Sequence, residues 1–164
     1  LRAGAKLVVA VDVGYGQLAW ELRQDPRVKI LDRTNIRHLT GEMVGEEIDL
    51  VVADLSFISL SLVLPALAAV SRPNADYVLM VKPQFEVGRE KLGAGGVVRD
   101  PALRRAAVLD VAEAAYDVGL GTMGIAASPL PGPAGNVEYF LWLRRGAPAI
   151  DAGDVDRAIE MGPA

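Results

Sequence analysis

Three ionisable residues stand where apolar runs of this chain begin or end. Asp54 stops the run Ile48, Leu50, Val51, Val52, Ala53; Lys82 follows Val78, Leu79, Met80 and Val81 and is pinned from behind by Pro83; Glu138 opens the apolar stretch in NVEYFLW. Acids and an amine brought to one strand rim can orient a hydroxyl or move its proton. In an open parallel α/β sheet, ligands sit outside the carboxyl ends of the strands, where such groups would be wanted. The plainer alternatives are that Asp54 caps the next helix, that Lys82 is a solvated strand end and that Glu138 is an unremarkable acid. A second constellation begins at Asp12, which ends the β-branched run KLVVAVDV and precedes Gly14, Tyr15 and Gly16. An acid at the end of the second strand of a nucleotide-binding unit accepts hydrogen bonds from ribose hydroxyls. Asp and Gly there also make ordinary turns.

The elements that must position these residues follow from the patterning. Strands are expected over 6–13, 28–31, 49–53, 76–81, 124–128 and 137–143. A short helix over 17–23 is stopped by Pro26, and a helix to about Val70 is capped by Ser59 or Ser61, with Ser61 leaving Pro65 in the first turn. Asp100-Pro101 pairs an N-cap acid with proline at the first helical position, so a helix should run to Val118 and stop at Gly119. Strands alternating with helices, each strand buried on both faces, imply an α/β fold with a mostly parallel sheet covered by helices on both faces. The last two strands are joined by too few residues for a parallel crossover, so they form an antiparallel hairpin. That is a Rossmann-like methyltransferase sheet. The expected division is a domain over residues 1–146 and a tail over 147–164 with a short helix.

Composition narrows the chemistry. No apolar run approaches the roughly 18 residues that span a bilayer, and no secretory signal is visible. With no cysteine and one histidine, His38, there is neither a disulfide nor a thiolate or histidine-cluster metal site. The net charge of −4 does not suit a domain that holds nucleic acid by itself, so RNA binding would need a local basic patch or a separate domain. Arg89, Lys91 and Arg99 lie in a glycine-rich stretch beside Lys82, and Arg104 and Arg105 extend them from the next helix. These five are the candidate RNA-binding residues. A mobile basic loop and a solvated connector are equal readings of the stretch.

The pieces VVAVDVGYGQLAW, RTNIR, DLVVADLSFISL, VKPQFEVGRE, GGVVRDP and SPLPGPAGNVEYFLWL resemble the TlyA family, bacterial proteins named hemolysins that belong with the FtsJ-like methyltransferases. The resemblance covers about residues 6–145. It implies S-adenosylmethionine as cofactor and 2′-O-methylation of ribosomal RNA, at cytidine ribose, in the cytoplasm, with ribosomal RNA or a ribosomal subunit as partner. It carries three members of the family's Lys-Asp-Lys-Glu tetrad onto Asp54, Lys82 and Glu138. Its cofactor positions fall on Asp12, Val13, Asn35 and Asp54. The family's S4-like RNA-binding domain, its glycine-rich first motif with the strand bearing it, and its first tetrad lysine have no counterpart in this sequence and are expected upstream of Leu1.

Other functions remain to be weighed against this one. A small-molecule methyltransferase would not need the basic loop. A membrane-active hemolysin would need a spanning or long cationic amphipathic helix, and neither is visible. A catalytically incomplete RNA-binding or interaction module would keep the fold without the chemistry. Whether Lys82 acts as the base or as an orienting cation is open at the level of sequence.

Overall fold

Alternation of apolar side chains sets the sheet. The structure, a computed structural model, describes residues 1–163, and Arg89 by its backbone alone. Strand β1 (Val8–Val11), helix α1 (Trp20–Arg23) and strand β2 (Val28–Leu31) come first, and β1 and β2 pair in parallel from Val8 with Val28 to Val11 with Leu31. A helix that the patterning does not announce, α2 (Gly41–Val44), follows. Thr40 caps it by accepting from the Met43 amide at 3.3 Å, and Gly45, at φ +65°, ends it.

The larger sheet has four strands: β3 (Ile48–Ala53), β4 (Ser71–Val81), β5 (Leu120–Ala127) and β6 (Tyr139–Arg145), in the spatial order β3-β4-β6-β5. β3 and β4 are parallel, whereas β6 runs antiparallel to both β4 and β5. The C-terminal hairpin is thus present, with its returning strand inserted beside β4. Ala75, Tyr77, Leu79 and Val81 of β4 and Tyr139, Leu141 and Leu143 of β6 point to one face and are fully buried. Helices α3 (Leu64–Val70), α5 (Pro101–Asp117) and α6 (Ala152–Met161) contribute Leu64, Leu67, Val108, Val111, Ala115, Val155 and Ala158 to the same core. A second cluster, Leu39, Val44 and Val70, joins α2 and α3 to Val9, Val11 and Leu31 of the two-stranded sheet.

Three local expectations need correction. β3 is not buried on both faces: Leu50 and Val52 are 55% and 71% exposed. Neither serine caps α3, whose N-cap is Val63; Ser59 caps the short turn before it. It accepts from the Ser61 amide and opens a 3₁₀ turn, Leu60–Leu62, after which α3 starts with Pro65 in its first turn. The glycine-rich stretch after Lys82 is folded, as described below. Beyond these corrections, the tail is packed on the sheet: the Thr122 amide donates to the Pro148 carbonyl at 2.7 Å, and a Cβ on Gly121 would lie 1.8 Å from the Ala147 oxygen. Only glycine fits there. The cap on α5 is as expected, with Asp100 accepting from the Ala102 amide at 2.8 Å and Gly119 at φ +85° closing the helix. Among the described residues no helix is long and apolar enough to cross a membrane.

Candidate active site

Strand register explains why three residues distant in sequence meet. Ala53 pairs with Leu79 in the parallel β3–β4 ladder, so both strands end at one rim, with Asp54 and Lys82 as the residues just beyond. Val81 pairs with Tyr139 in the antiparallel β4–β6 ladder, which puts Glu138 at that same rim. Lys82 Nζ lies 2.6 Å from Asp54 Oδ1 and 4.0 Å from Glu138 Oε1, and it donates to Ser56 Oγ at 3.4 Å. The lysine and Glu138 are well covered, while the Asp54 side chain is 67% exposed. The cluster therefore has a buried side and a side open to a ligand.

Lys82 and Glu138 form part of the wall of a cleft of about 940 Å³, lined also by Asn35, Phe57, Phe85 and Asn136. A smaller hollow of about 440 Å³ near Gly45, Glu47 and Arg72 contains none of the cluster. Phe57 stands at the mouth of the larger cleft, 92% exposed, its ring centroid 5.1 Å from that of Phe85. Its φ of +63° puts a bulky residue in the left-handed region. That conformation costs about 1–3 kcal/mol and persists only where surrounding contacts enforce it.

Several residues that hold the site were not visible as functional from sequence. Gln84 Nε2 donates to Glu138 Oε1 at 3.2 Å, while Gln84 Oε1 is buried without a partner among the described residues. A Cβ on Gly132 would lie 2.8 Å from Glu138 Oε1, so the proline-rich hairpin loop closes over that carboxylate. Asn136, buried, accepts from the Val98 amide at 2.9 Å and donates to the Gly96 carbonyl at 3.2 Å. Glu86 receives the Ser59 hydroxyl at 2.5 Å and the Leu60 amide at 2.9 Å. Burial pushes its carboxyl above the ordinary value, and the two hydrogen bonds oppose that shift. An acid one helical turn beyond Lys82 in VKPQFE was the only signal in the sequence for Glu86.

The glycine-rich stretch begins with helix α4 (Pro83–Glu86) and continues through 3₁₀ turns Arg89–Lys91 and Ala94–Gly96. Val87 and Val98 pack with Ala107 of α5 in a small core of their own. The stretch is thus anchored at both ends, while most of its described residues between Gly88 and Gly95 are exposed. Of the five candidate RNA-binding residues, Lys91 is exposed, and Arg99 donates to the Ala94 carbonyl at 3.4 Å. The Arg89 side chain lies outside the described part. Arg104 has its Nε buried without a hydrogen-bond acceptor among the described residues, near Tyr139, whose hydroxyl burial pushes upward while the Arg104 charge opposes the shift. Arg105 pairs with Asp156 of α6 at 2.5 Å and stays 39% exposed.

At the end of β1, Asp12 folds its own turn: Oδ1 accepts from the Gly14 amide at 2.7 Å, and its carbonyl accepts from the Thr34 amide at 2.9 Å. Oδ2 has no hydrogen-bond donor among the described residues and is free to accept a hydroxyl. Val13 and Tyr15 are exposed beside it, 74% and 64%. Asn35 Oδ1 is taken by the Arg37 amide at 3.0 Å, and Asn35 lines the cleft. A free carboxylate oxygen flanked by apolar side chains, with an amide donor nearby, fits a nucleoside.

The class defined by this sheet, with an acid-lysine-acid cluster at its strand rim, agrees with comparison to known proteins. The family model for FtsJ-like methyltransferases matches residues 1–145. The chain belongs to that family. It is 60% identical over 168 residues to the Mycobacterium tuberculosis 16S/23S rRNA (cytidine-2′-O)-methyltransferase TlyA, an alignment covering 99% of this chain and 63% of that protein. Two solved hemolysin-named proteins superpose with a TM-score of 0.89. The one from Streptococcus thermophilus is 38% identical, covering 97% of this chain and 60% of its own. The one from Lactococcus lactis is 36% identical, covering 97% and 77%. The chain spans somewhat under two thirds of the curated relative's length.

Proposed function

We propose that this chain is the catalytic domain of an S-adenosylmethionine-dependent 2′-O-methyltransferase acting on cytidine in ribosomal RNA. The observation that carries the reading is the position of Lys82 Nζ, 2.6 Å from Asp54 and 4.0 Å from Glu138, on the wall of the cleft. Bound S-adenosylmethionine would supply a methyl group made electrophilic by a positively charged sulfur. Asp12 Oδ2 would accept its ribose hydroxyls, with Val13 along the adenine and Asn35 at the adenine edge. Asp54 has a part at both ends of the site, beside the cofactor and on Lys82. Holding the reacting oxygen in line with the methyl carbon is worth several kcal/mol.

Paired with Asp54, Lys82 serves as a cation that orients the 2′-hydroxyl oxygen and balances the charge it gains as its proton passes to solvent water at the open side of the site. Glu138, fixed by Gln84, holds the amine from the other side. Lys82→Arg separates this role from that of a base. Guanidinium cannot give up its proton, so a base role predicts no turnover and an orienting role predicts part of it. Phe57, exposed at the cleft mouth, offers a face on which an unstacked base can rest. Arg89, Lys91, Arg99 and Arg104 are the proposed phosphate-binding residues.

With a net charge of −4, the domain needs help to hold RNA, and an S4-like RNA-binding domain upstream would give it. One edge of β1 and one edge of β3 carry no strand partner among the described residues, which supports an additional strand there. A ribosomal target places the protein in the cytoplasm.

The test is to incubate the full-length protein with ribosomal RNA and methyl-labelled S-adenosylmethionine and to digest the RNA to nucleosides. Label in 2′-O-methylcytidine is the expected result. Label on a base, or none in RNA, overturns the proposal.

A further inference from the structure

Lys82 and Glu86 stand one helical turn apart, at the start and the end of α4, and both reach across to the loop that follows β3. Lys82 Nζ holds its first half, through Asp54 at 2.6 Å and Ser56 Oγ at 3.4 Å. Glu86 holds its second half. Its Oε2 accepts from Ser59 Oγ at 2.5 Å and its Oε1 from the Leu60 amide at 2.9 Å. Because the Ser59 hydroxyl donates to Glu86, the 2.7 Å contact between Ser59 and Ser61 must be a donation from Ser61. Leu60 itself is 2% exposed and locked into the main core. Between the two anchors lies Phe57, at φ +63°.

We infer that Glu86 is a positioning residue that clamps the 56–60 loop, and thereby keeps Asp54 on Lys82 and Phe57 at the cleft mouth. The inference rests on the methyltransferase reading of the Asp54–Lys82 pair. A backbone in the left-handed region at a bulky residue relaxes unless both flanks are fixed. Lys82 fixes one flank only. Replacing Glu86 leaves the Leu60 amide and the Ser59 hydroxyl without their acceptor, and the loop is then free to turn Phe57 out of the left-handed region and draw Asp54 away from the amine. Glu86 does not touch the reacting groups, so its effect travels through the loop. Partial burial of its carboxylate, against the preference of that charge for water, is consistent with a residue kept for geometry.

The test uses the full-length protein. Glu86→Ala should lower kcat for methyl transfer by at least about tenfold, because small misplacements of reacting groups have effects of that size. S-adenosylmethionine affinity and KM for RNA should change less than kcat does, because Asp54 and Phe57 move while Asp12 and the basic residues do not. Hydrogen exchange at the Leu60 amide should accelerate. Glu86→Gln keeps an oxygen for that amide and should recover most of kcat. Adding Ser59→Ala to Glu86→Ala should cost little more than Glu86→Ala alone. If Glu86→Ala does not fold, Ser59→Ala carries the test. A several-fold fall in kcat at an unchanged melting temperature supports the clamp, and a wild-type kcat overturns it. A wild-type kcat in Glu86→Ala, with Leu60 exchange accelerated, likewise removes the positioning role while leaving the methyltransferase assignment standing. Failure of that assignment is seen separately, as absence of methyl transfer by the unsubstituted protein.

Discussion

Asn136 and Val98 are hydrogen-bonded across 38 residues of sequence, the buried side-chain oxygen accepting from the backbone amide at 2.9 Å. With the second bond to the Gly96 carbonyl, one side chain ties the glycine-rich stretch to the hairpin that bears Glu138. Asn136→Ala leaves two backbone groups unpaired, and an unsatisfied buried polar group costs about 1–3 kcal/mol. The variant should melt at a lower temperature and be cut by protease within residues 88–96. Unchanged melting and cleavage would mean that Val87 and Val98 anchor the stretch unaided.

The basic residues should divide by their partners. Neutralising Lys91 and Arg99 should weaken RNA binding and lower its salt dependence by roughly one unit of slope for each phosphate no longer held. Arg105→Ala should leave that slope alone. An exposed pair such as Arg105 with Asp156 contributes little, so its removal should be a small stability effect. Equal slopes for all three variants would mean that the folded stretch does not touch RNA.

Asp12→Ala in the full-length protein should weaken S-adenosylmethionine at least about tenfold, since a ribose hydroxyl would lose its acceptor. It also removes the Gly14 bond that shapes the turn. Asp12→Asn keeps that acceptor and should weaken the cofactor less. Titration calorimetry checks both. Unchanged affinity in the alanine variant would take Asp12 out of the site.

Glu86 should also leave a mark on the pH dependence of stability. Its folded-state value lies above the ordinary 4.5 because of burial, with Asp110 adding to the rise. A raised group contributes stability that is fully present below the unfolded value and lost as pH rises through the folded one. Wild type should therefore lose stability relative to Glu86→Gln as pH rises from about 4 through the raised folded-state value. Thermal melts across that range measure it, and a gap that does not change with pH would contradict the shift.

What could be read from sequence was what local rules control. Asp54, Lys82 and Glu138 were legible because apolar runs end or begin at them, and the register of β4 with its neighbours brings them to one rim. Asp100-Pro101 announced α5 because cap and proline act within one turn. Glu86, Asn136 and Gln84 were not legible, since their partners lie 26, 38 and 54 residues away. Neither serine caps α3 because a short turn intervenes, where Ser59 gives its hydroxyl to Glu86. The folded state of residues 88–98 was hidden because glycines suggest freedom, whereas Val87, Val98 and Ala107 supply the apolar packing that removes it. Leu50 and Val52 read as core because apolar residues alone do not reveal which face a sheet leaves open.

The central claim is that Lys82, held by Asp54 and Glu138, addresses the ribose hydroxyl and not the cofactor. Asp54→Ala and Glu138→Ala should each slow methyl transfer and combine non-additively with Lys82→Ala, as residues of one unit do. The most direct measurement is single-turnover methyl transfer to ribosomal RNA by full-length Lys82→Ala, alongside its S-adenosylmethionine affinity. The expected result is a rate lower by about 10²-fold or more, with cofactor affinity close to wild type. A Lys82→Ala variant that methylates RNA at the wild-type rate, or that fails only because it no longer binds the cofactor, would contradict the claim.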